Sequence, residues 1–140
     1  MTFKMFTDGG ARGNPGPAGI GYLIKNEHGD VVQSKGMYIG TATNNQAEYT
    51  ALIEGLEAAV AKKIKVLSCT LDSELVVKQM KKIYKVKDTD LKSLWLKAQK
   101  LTEHFEKIDF THVKRENNKE ADALVNQALD NHINSSPIWK

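Results

Sequence analysis

The fold is decided by the stretch FKMFTDGGARGNPGPAGIGYLIKNEHGDVVQSKGMYIG, residues 3–40. Its first segment, 3–8, is short, apolar and aromatic, which is typical of a strand. The glycine- and proline-rich run 9–19 predicts a loop, because these residues do not continue a strand. Residues 19–27 and 31–40 flank HGD, a tripeptide typical of a tight hairpin turn. The stretch therefore predicts three strands in an antiparallel meander.

The rest of the chain alternates between helical and strand-like patterns. The continuous apolar run 65–72 is typical of a buried strand, and residues 108–114 are predicted to form a fifth strand. Three hairpin-linked strands followed by helix-linked strands predict an α/β fold of the order βββαβααβα. We expect a five-stranded mixed sheet, with strands 1–3 antiparallel, flanked by helices. Helical spacing of apolar residues predicts four helices, over 44–63, 73–83, 88–105 and 119–131.

A length of 140 residues fits a single domain. We expect this domain to span 1–132 and residues 133–140 to form a frayed C-terminal tail. The one cysteine, Cys69, excludes an intrachain disulfide and a thiolate zinc site. The sequence shows neither a signal peptide nor an apolar run that could span a bilayer, so we expect an intracellular, cytoplasmic protein. Nothing in the sequence calls for an obligate protein partner, and we expect a monomer.

Four acidic residues stand out by their positions. Asp8 and Asp72 follow predicted strands, and ligands of open sheets gather beyond strand ends. Glu48 lies four residues before Leu52, which places it on the buried stripe of its helix. Asp122 likewise lies on the apolar stripe of the last helix. Acids at helix N-termini are also common as partners of the helix dipole, so Glu48 and Asp122 have that alternative explanation.

Convergence of these acids would create a metal site. Four neighbouring carboxylates repel one another, and one or more would be protonated unless a divalent cation were bound. Oxygen ligands with free positions for water and phosphate suit Mg²⁺ or Mn²⁺. Two such ions about 4 Å apart can hold a phosphodiester and activate water. The net charge of +3 is compatible with a polyanionic partner, so the sequence predicts a metal-dependent nuclease.

Four segments of the chain resemble the signature segments of type 1 ribonuclease H. They are TDGGARGNPGPAG (7–19), TNNQAEYTAL (43–52), LDSELV (71–76) and RENNKEADALV (115–125), and they occur in the family's order. The resemblance implies the ribonuclease H fold and hydrolysis of the RNA strand of an RNA–DNA hybrid. It also implies two divalent ions, Mg²⁺ with Mn²⁺ as an alternative, and products with 5′-phosphate and 3′-hydroxyl ends.

The resemblance also assigns roles to individual residues. It implies that all four acids are catalytic and bind metal, and that Glu48 also contacts a ribose 2′-hydroxyl, the group that distinguishes RNA from DNA. Glycines would let the backbone approach the ribose closely. NPGP as a plain turn, and Asn44 or Asn45 as an N-cap, are the alternatives. The implied residues are Asp8, Glu48, Asp72 and Asp122 for metal, Gly9, Gly10, Gly13, Asn14, Asn44 and Asn45 for the minor groove, Thr43 for a DNA phosphate, and Asn118 for positioning the site.

The chain departs from the family pattern in the loop before the last acid. Many members carry a histidine in this loop, whereas RENN (115–118) has none. His112 falls within a predicted strand, where a role in the sheet explains it. Arg115 is our candidate for contacting the scissile phosphate or the leaving group, because a guanidinium matches phosphate geometry.

A second departure follows Asp72, where some members have a long basic protrusion that binds the DNA strand. The connection 82–88 is short here. Four lysines in and directly before this connection, together with Tyr84, either form a reduced version of the protrusion or are simply a solvated face. Trp95 fits the apolar stripe of its helix and is expected in the core. The lysines in question are Lys81, Lys82, Lys85 and Lys87.

Two other functions compete with that of an active ribonuclease H. One is a catalytically silent module that binds hybrids or RNA, although pure binding would not need four acids. The other is a different nuclease of the same superfamily, such as a 3′-exonuclease. The glycine-rich loop and TNNQAEY (43–49) favour the ribonuclease H interpretation over this second alternative.

Overall fold

A computed structural model of the chain describes residues 1–135. The element order is βββαβααβα, as predicted. One five-stranded sheet has the strand order β3-β2-β1-β4-β5. The first three strands pair antiparallel, while β4 is parallel to both β1 and β5, so the predicted mixed sheet is confirmed. The strands are β1 (Phe3–Ala11), β2 (Gly16–Lys25), β3 (Val31–Ala42), β4 (Val66–Leu71) and β5 (Lys107–His112).

Helices cover both faces of the sheet. On β2, Gly19 and Gly21 contact the last helix, and Tyr22, which points to the opposite face, packs against Gly55 of the first helix. The main core lies on the Tyr22 face and includes Met5 and Leu52, both fully buried. The helices are α1 (Asn44–Ala61), α2 (Glu74–Met80), α3 (Thr89–Thr102) and α4 (Lys119–Ser135), and a single 3-10 turn, Arg115–Asn117, precedes α4.

The glycine-rich run does not form the long loop that we predicted. β1 continues to Ala11 and β2 begins at Gly16, so only residues 12–15 connect them. Gly10 pairs with Gly19 across the hairpin, which extends the ladder through the glycines. Asp8 consequently lies inside β1, and the prediction that it ends the strand was wrong.

The N-cap of α1 is Thr43, and the prediction of Asn44 or Asn45 was wrong. The Thr43 hydroxyl accepts from the Gln46 N–H at 3.1 Å, and the Gln46 side chain accepts from the Thr43 N–H at 2.9 Å. This reciprocal capping box satisfies two N–H groups at the helix start. It also leaves the side chain of Asn44 available for other contacts.

The remaining differences concern helix ends. α2 stops at Met80, three residues before the predicted end, and Lys82 follows with a φ of 64°. α4 continues to Ser135, beyond the predicted end of the domain at 132. The predicted frayed tail falls partly on residues 136–140, which lie outside the described residues, and the domain bounds stay a prediction. Within residues 1–135, no helix is long and apolar enough to cross a membrane.

Two predictions about aromatic and histidine residues are confirmed. Trp95 packs against the core, and its indole N–H donates to the Gln79 carbonyl at 3.0 Å. His112 is the last residue of β5. Trp139 lies outside the described residues.

Candidate active site

Three carboxylates meet where β1, β4 and α1 come together. Oxygen atoms of Asp8, Glu48 and Asp72 all lie within 4.8 Å of one another. The parallel pairing of β1 with β4 sets Thr7 opposite Leu71, so the residues that follow, Asp8 and Asp72, lie at the same level of the sheet. We call these three residues the acidic group. It is the convergence that the sequence predicted for three of the four acids.

Glu48 reaches the group because α1 packs directly on β1. A Cβ atom on Gly9 would lie 2.2 Å from the Ala47 carbonyl oxygen, so only glycine permits this approach. The Gly9 N–H donates a hydrogen bond to Oε1 of Glu48. Gly9 therefore both brings Glu48 to the site and holds its carboxylate there.

Burial controls the charge of the acidic group. The exposed fraction is 4% for Asp8 and 7% for Glu48. Burial raises the pKa of Asp8 from its ordinary 3.8 to about 7; a hydrogen bond with Glu48 opposes this increase, and the charges of Asp72 and Asp122 add to it. Burial, followed by the Asp8 and Asp72 carboxylates, also raises the pKa of Glu48. A divalent cation would favour the ionised forms, so this all-oxygen donor set fits an ion such as Mg²⁺.

Asp122 stands beside the acidic group and is not one of its members. It lies in the first turn of α4, close enough to Asp8 to raise the pKa of that carboxyl. The Asn126 side chain donates to Asp122 at 3.3 Å. Asp122 and Asp8 line one cavity of about 200 Å³, which we call the acidic cleft.

Asn118 connects the acidic group to the loop before α4. Its amide nitrogen donates to the Thr7 carbonyl at 2.9 Å and lies 3.4 Å from an oxygen of Asp72. The residue is 2% exposed, and its amide oxygen has no hydrogen-bond partner among the described residues. The two contacts tie the Asp72 carboxylate to β1, and the positioning role that the resemblance implies for Asn118 stays a prediction.

The predicted groove residues gather at the start of α1. The Asn44 side-chain oxygen accepts from the Ala11 N–H at 2.8 Å, and its backbone N–H donates to the Asn14 side chain at 3.0 Å. These bonds fasten the loop 12–15 to α1. Asn14, Thr43, Asn44 and Asn45 line one cavity of about 410 Å³, which we call the asparagine cleft.

The three predicted glycines differ in what their missing side chains allow. Gly9 is required by internal packing against α1. Gly13 has a φ of +93°, so the backbone of the turn requires it. Gly10 is open, because a Cβ atom there would meet only the Asn44 side-chain oxygen at 4.0 Å. Of these three glycines, Gly10 is therefore the one that leaves its backbone open to a ligand.

Both arginines of the chain line the acidic cleft. Arg115 was predicted there, and the structure brings it to the cavity that contains Asp8 and Asp122. Arg12 lines the same cavity, although we did not predict a site role for it. Its position in the loop that follows the Asp8 strand was the available signal.

The lysines after α2 border a third cavity, of about 420 Å³. Lys82 and Lys85 line it, whereas Lys81 and Lys87 are not among its lining residues. Lys92 of α3 joins them, which the pattern along 82–88 did not indicate. We call this the lysine-rich surface, and its lining residues are Lys82, Tyr84, Lys85, Val86, Lys92 and Trp95.

The sheet order, the helices on both faces and the acidic group define the ribonuclease H-like fold. Residues 6–128 match the model of the reverse transcriptase-like family. A ribonuclease HI of Halobacterium salinarum is 44% identical over 125 residues, which cover 89% of this chain. The chain therefore belongs to the type 1 ribonuclease H family, and that prediction is confirmed.

Two further relatives show the same similarity. A bifunctional protein of Mycobacterium tuberculosis is 45% identical over 93% of this chain. The solved structure of LC11-RNase H1 in complex with an RNA/DNA hybrid has a TM-score of 0.87 and 43% identity, covering 94% of this chain and 99% of that one. The chain spans 63% of the halobacterial relative and 36% of the mycobacterial one.

Proposed function

We propose that this protein is an endonuclease that hydrolyses the RNA strand of RNA–DNA hybrids and leaves 5′-phosphate and 3′-hydroxyl ends. The observation that carries the proposal is the acidic group, three carboxylates with oxygens within 4.8 Å of one another. Membership of the type 1 ribonuclease H family supports the reaction. The complex of LC11-RNase H1 with an RNA/DNA hybrid supports the substrate class.

Divalent ions complete the proposed site. Asp8, Glu48 and Asp72 would hold them, with Asp122 as a further ligand at the edge, and we propose two Mg²⁺ ions with Mn²⁺ as the alternative. When bound, such ions activate the attacking water and stabilise the leaving oxygen. Asn118 keeps Asp72 in place through its contacts with Thr7 and Asp72.

The surroundings of Glu48 support its proposed second role. Its Oε1 accepts from the Gly9 N–H, and its carboxyl also hydrogen-bonds Asp8. With divalent ions bound to both acids, a ribose 2′-hydroxyl would take the place of the Asp8 contact. The open Gly10 lies between Glu48 and Asn44, where the backbone can approach the sugar. A deoxyribose at this point would leave the carboxylate oxygen without that partner, which selects RNA.

The asparagine cleft would receive the minor groove of the hybrid. Asn14, Asn44 and Asn45 supply amide donors and acceptors there, and Thr43 adds a hydroxyl for a DNA phosphate. Amide contacts to sugars and phosphates fix the register of a duplex without reading its sequence. Gly9 and Gly13 contribute by shaping the backbone around this cleft.

Arg115 would contact the scissile phosphate or the leaving group from the other side of the acidic cleft. Its cavity contains Asp8 and Asp122, so a phosphate held there lies within a short distance of the guanidinium. We expect Arg115→Ala to reduce kcat on a hybrid by roughly 10²-fold, the effect of losing one donor to developing charge. Normal turnover by this variant would exclude the role.

The test of the proposed function is a labelled RNA–DNA hybrid incubated with Mg²⁺ or Mn²⁺. The wild type should cut the RNA strand internally, and Asp8→Asn should abolish cutting. Asp109→Asn is a matched control, because Asp109 is an exposed carboxylate of β5 that bonds Ser68. Binding without cleavage would identify a silent module, and stepwise removal of terminal nucleotides would identify a 3′-exonuclease. The monomeric state, the cytoplasmic location and the absence of an obligate protein partner stay predictions.

A further inference from the structure

Arg12 starts from a fixed point of the backbone beside the acidic cleft. Its N–H donates to the Pro17 carbonyl at 2.8 Å across the hairpin. Its carbonyl packs so tightly on Gly16 that a Cβ atom there would lie 2.2 Å away. Asn44 bonds Ala11, one residue before Arg12, and Asn14, two residues after it. The loop therefore sets the direction in which the side chain leaves the backbone.

The guanidinium of Arg12 reaches α4 and bonds Asp130. The distance from Nη2 to Oδ1 is 2.6 Å, and the two side chains are 39% and 59% exposed. Asp130 lies eight residues after Asp122, about 12 Å further along the helix. α4 thus presents one carboxylate in the acidic cleft and another near its outer end. Because both side chains are exposed to solvent, this ion pair contributes little to stability and can be exchanged.

A phosphodiester that enters the acidic cleft meets negative charge from Asp8 and Asp122 and requires cations around it. Arg12 and Arg115 are the arginines that line this cavity. A guanidinium donates two parallel hydrogen bonds to phosphate, and a phosphate can compete with a single exposed carboxylate for it.

We propose that Arg12 is a further substrate-binding residue. When a hybrid binds, its guanidinium breaks the ion pair with Asp130 and binds an RNA-strand phosphate next to the scissile one. Asp130 is the partner of the guanidinium while substrate is absent. The inference rests on the proposed function, since it assumes that the acidic cleft receives the RNA strand of a hybrid.

The experiment compares Arg12→Ala, Arg12→Lys and Asp130→Asn with the wild type in hybrid cleavage. Arg12→Ala should raise KM roughly tenfold with kcat nearly unchanged, the effect of one lost charge-assisted contact. Arg12→Lys should have a KM between those of the wild type and Arg12→Ala, because lysine keeps the charge and lacks the two parallel donors of a guanidinium. Asp130→Asn should not raise KM, because it removes only the competitor. Lys35→Ala is a matched control that removes a cation paired with Glu54, away from the cleft.

Salt dependence of hybrid binding, measured in an Asp8→Asn background that does not cut, gives an independent result. The salt slope is the slope of the logarithm of the binding constant against the logarithm of the salt concentration. Arg12→Ala should reduce its magnitude by about one, and Lys35→Ala should leave it unchanged. If Arg12→Ala and Asp130→Asn weakened hybrid binding equally, the proposal would be overturned, since the ion pair would then act structurally. So would an Arg12→Ala variant that behaves like Lys35→Ala. Failure of the wild type to cleave would refute the proposed function instead, and the binding comparison would still test Arg12.

Discussion

The acidic group and the lysine-rich surface are both charged, but the fold builds them in opposite ways. Asp8 and Glu48 are buried and come from β1 and α1, which pack directly on each other. The lysines are on the short connection after α2 and on α3, with Lys82 and Lys85 exposed to solvent. One region concentrates negative charge inside the protein, and the other spreads positive charge over its surface.

The difference determines how each region can act. Because Asp8 is buried, little solvent screens its charge, and each neighbouring charge has a large effect on its pKa. The pKa of Asp8 is therefore raised to about 7, and a bound cation would be strongly favoured. Exposed lysines interact through solvent, so each contributes a small and replaceable share. Substitutions should be severe in the acidic group and mild on the lysine-rich surface.

The largest effect is expected for Glu48→Gln. Cleavage of a hybrid should fall on the order of 10³-fold, because the site loses a charge that holds metal. The metal-free protein should nonetheless melt at a higher temperature, since the substitution removes a buried carboxyl that its neighbours repel. Kinetics and thermal unfolding in EDTA measure the two changes.

The matched control for this variant is Glu54→Gln, on the same helix, where the side chain is 30% exposed and pairs with Lys35. It should alter neither quantity appreciably. A Glu48→Gln variant that keeps a tenth of the activity would show that the acidic group is not the metal site.

The two neighbouring glycines separate packing from substrate contact. Gly9→Ala should destabilise the protein by about 1–3 kcal/mol, because its Cβ atom would overlap the Ala47 carbonyl. Gly10→Ala should leave stability nearly unchanged, because the space beside Gly10 is open. It should raise KM, because the added methyl group would occupy the space proposed for the ribose. Urea unfolding and steady-state kinetics test the pair. Equal loss of stability in both variants would contradict the distinction.

A moderate effect is expected when pH is changed without metal. The unfolded chain ionises Asp8 near 3.8, whereas the folded protein ionises it at about 7. Between these values the folded state binds more protons, so the free energy of unfolding falls as pH rises. Asp8 should contribute a decrease on the order of 4 kcal/mol.

Urea unfolding between pH 4 and pH 8 in EDTA measures this decrease. Asp8→Asn should flatten the profile, and saturating Mg²⁺ should restore stability at the high-pH end. An Asp8→Asn profile as steep as that of the wild type would assign the decrease to other groups.

Local patterns in the sequence predicted most of the fold, and helical periodicity placed Glu48 in the site. Asp8 and Asp72 were predicted as strand ends, which is correct for Asp72 and wrong for Asp8. Glu48 and Leu52 share a buried stripe, as their spacing indicated. The path of β1 through Gly9 and Gly10 was missed, because strand pairing and packing on α1 overrode the loop preference of glycine. Thr43, Asn44 and Asn45 are all residue types that cap helices. The hydrogen bonds between Thr43 and Gln46 identify Thr43 as the N-cap, and residue type alone could not.

Contacts between distant residues could not be predicted. Arg12 and Asp130 are separated by 118 positions, and no local pattern relates them. The exclusion of Asp122 from the acidic group depends on how α4 lies across the sheet, which the apolar stripe of one helix does not specify. Lys92 joins Lys82 and Lys85 only because α3 folds back beside their loop.

The smallest effect is expected on the lysine-rich surface. The double variant Lys82→Gln/Lys85→Gln should raise KM for a hybrid several-fold and lower the salt slope by about two, with kcat unchanged. Lys97→Gln/Lys100→Gln removes the same charge from exposed positions of α3 that do not line the cavity. Because net charge falls equally in both, a difference between them reports contact with nucleic acid. Identical KM values and salt slopes would instead identify the lysines as a solvated face, and the contrast with the acidic group would then be one between function and solubility.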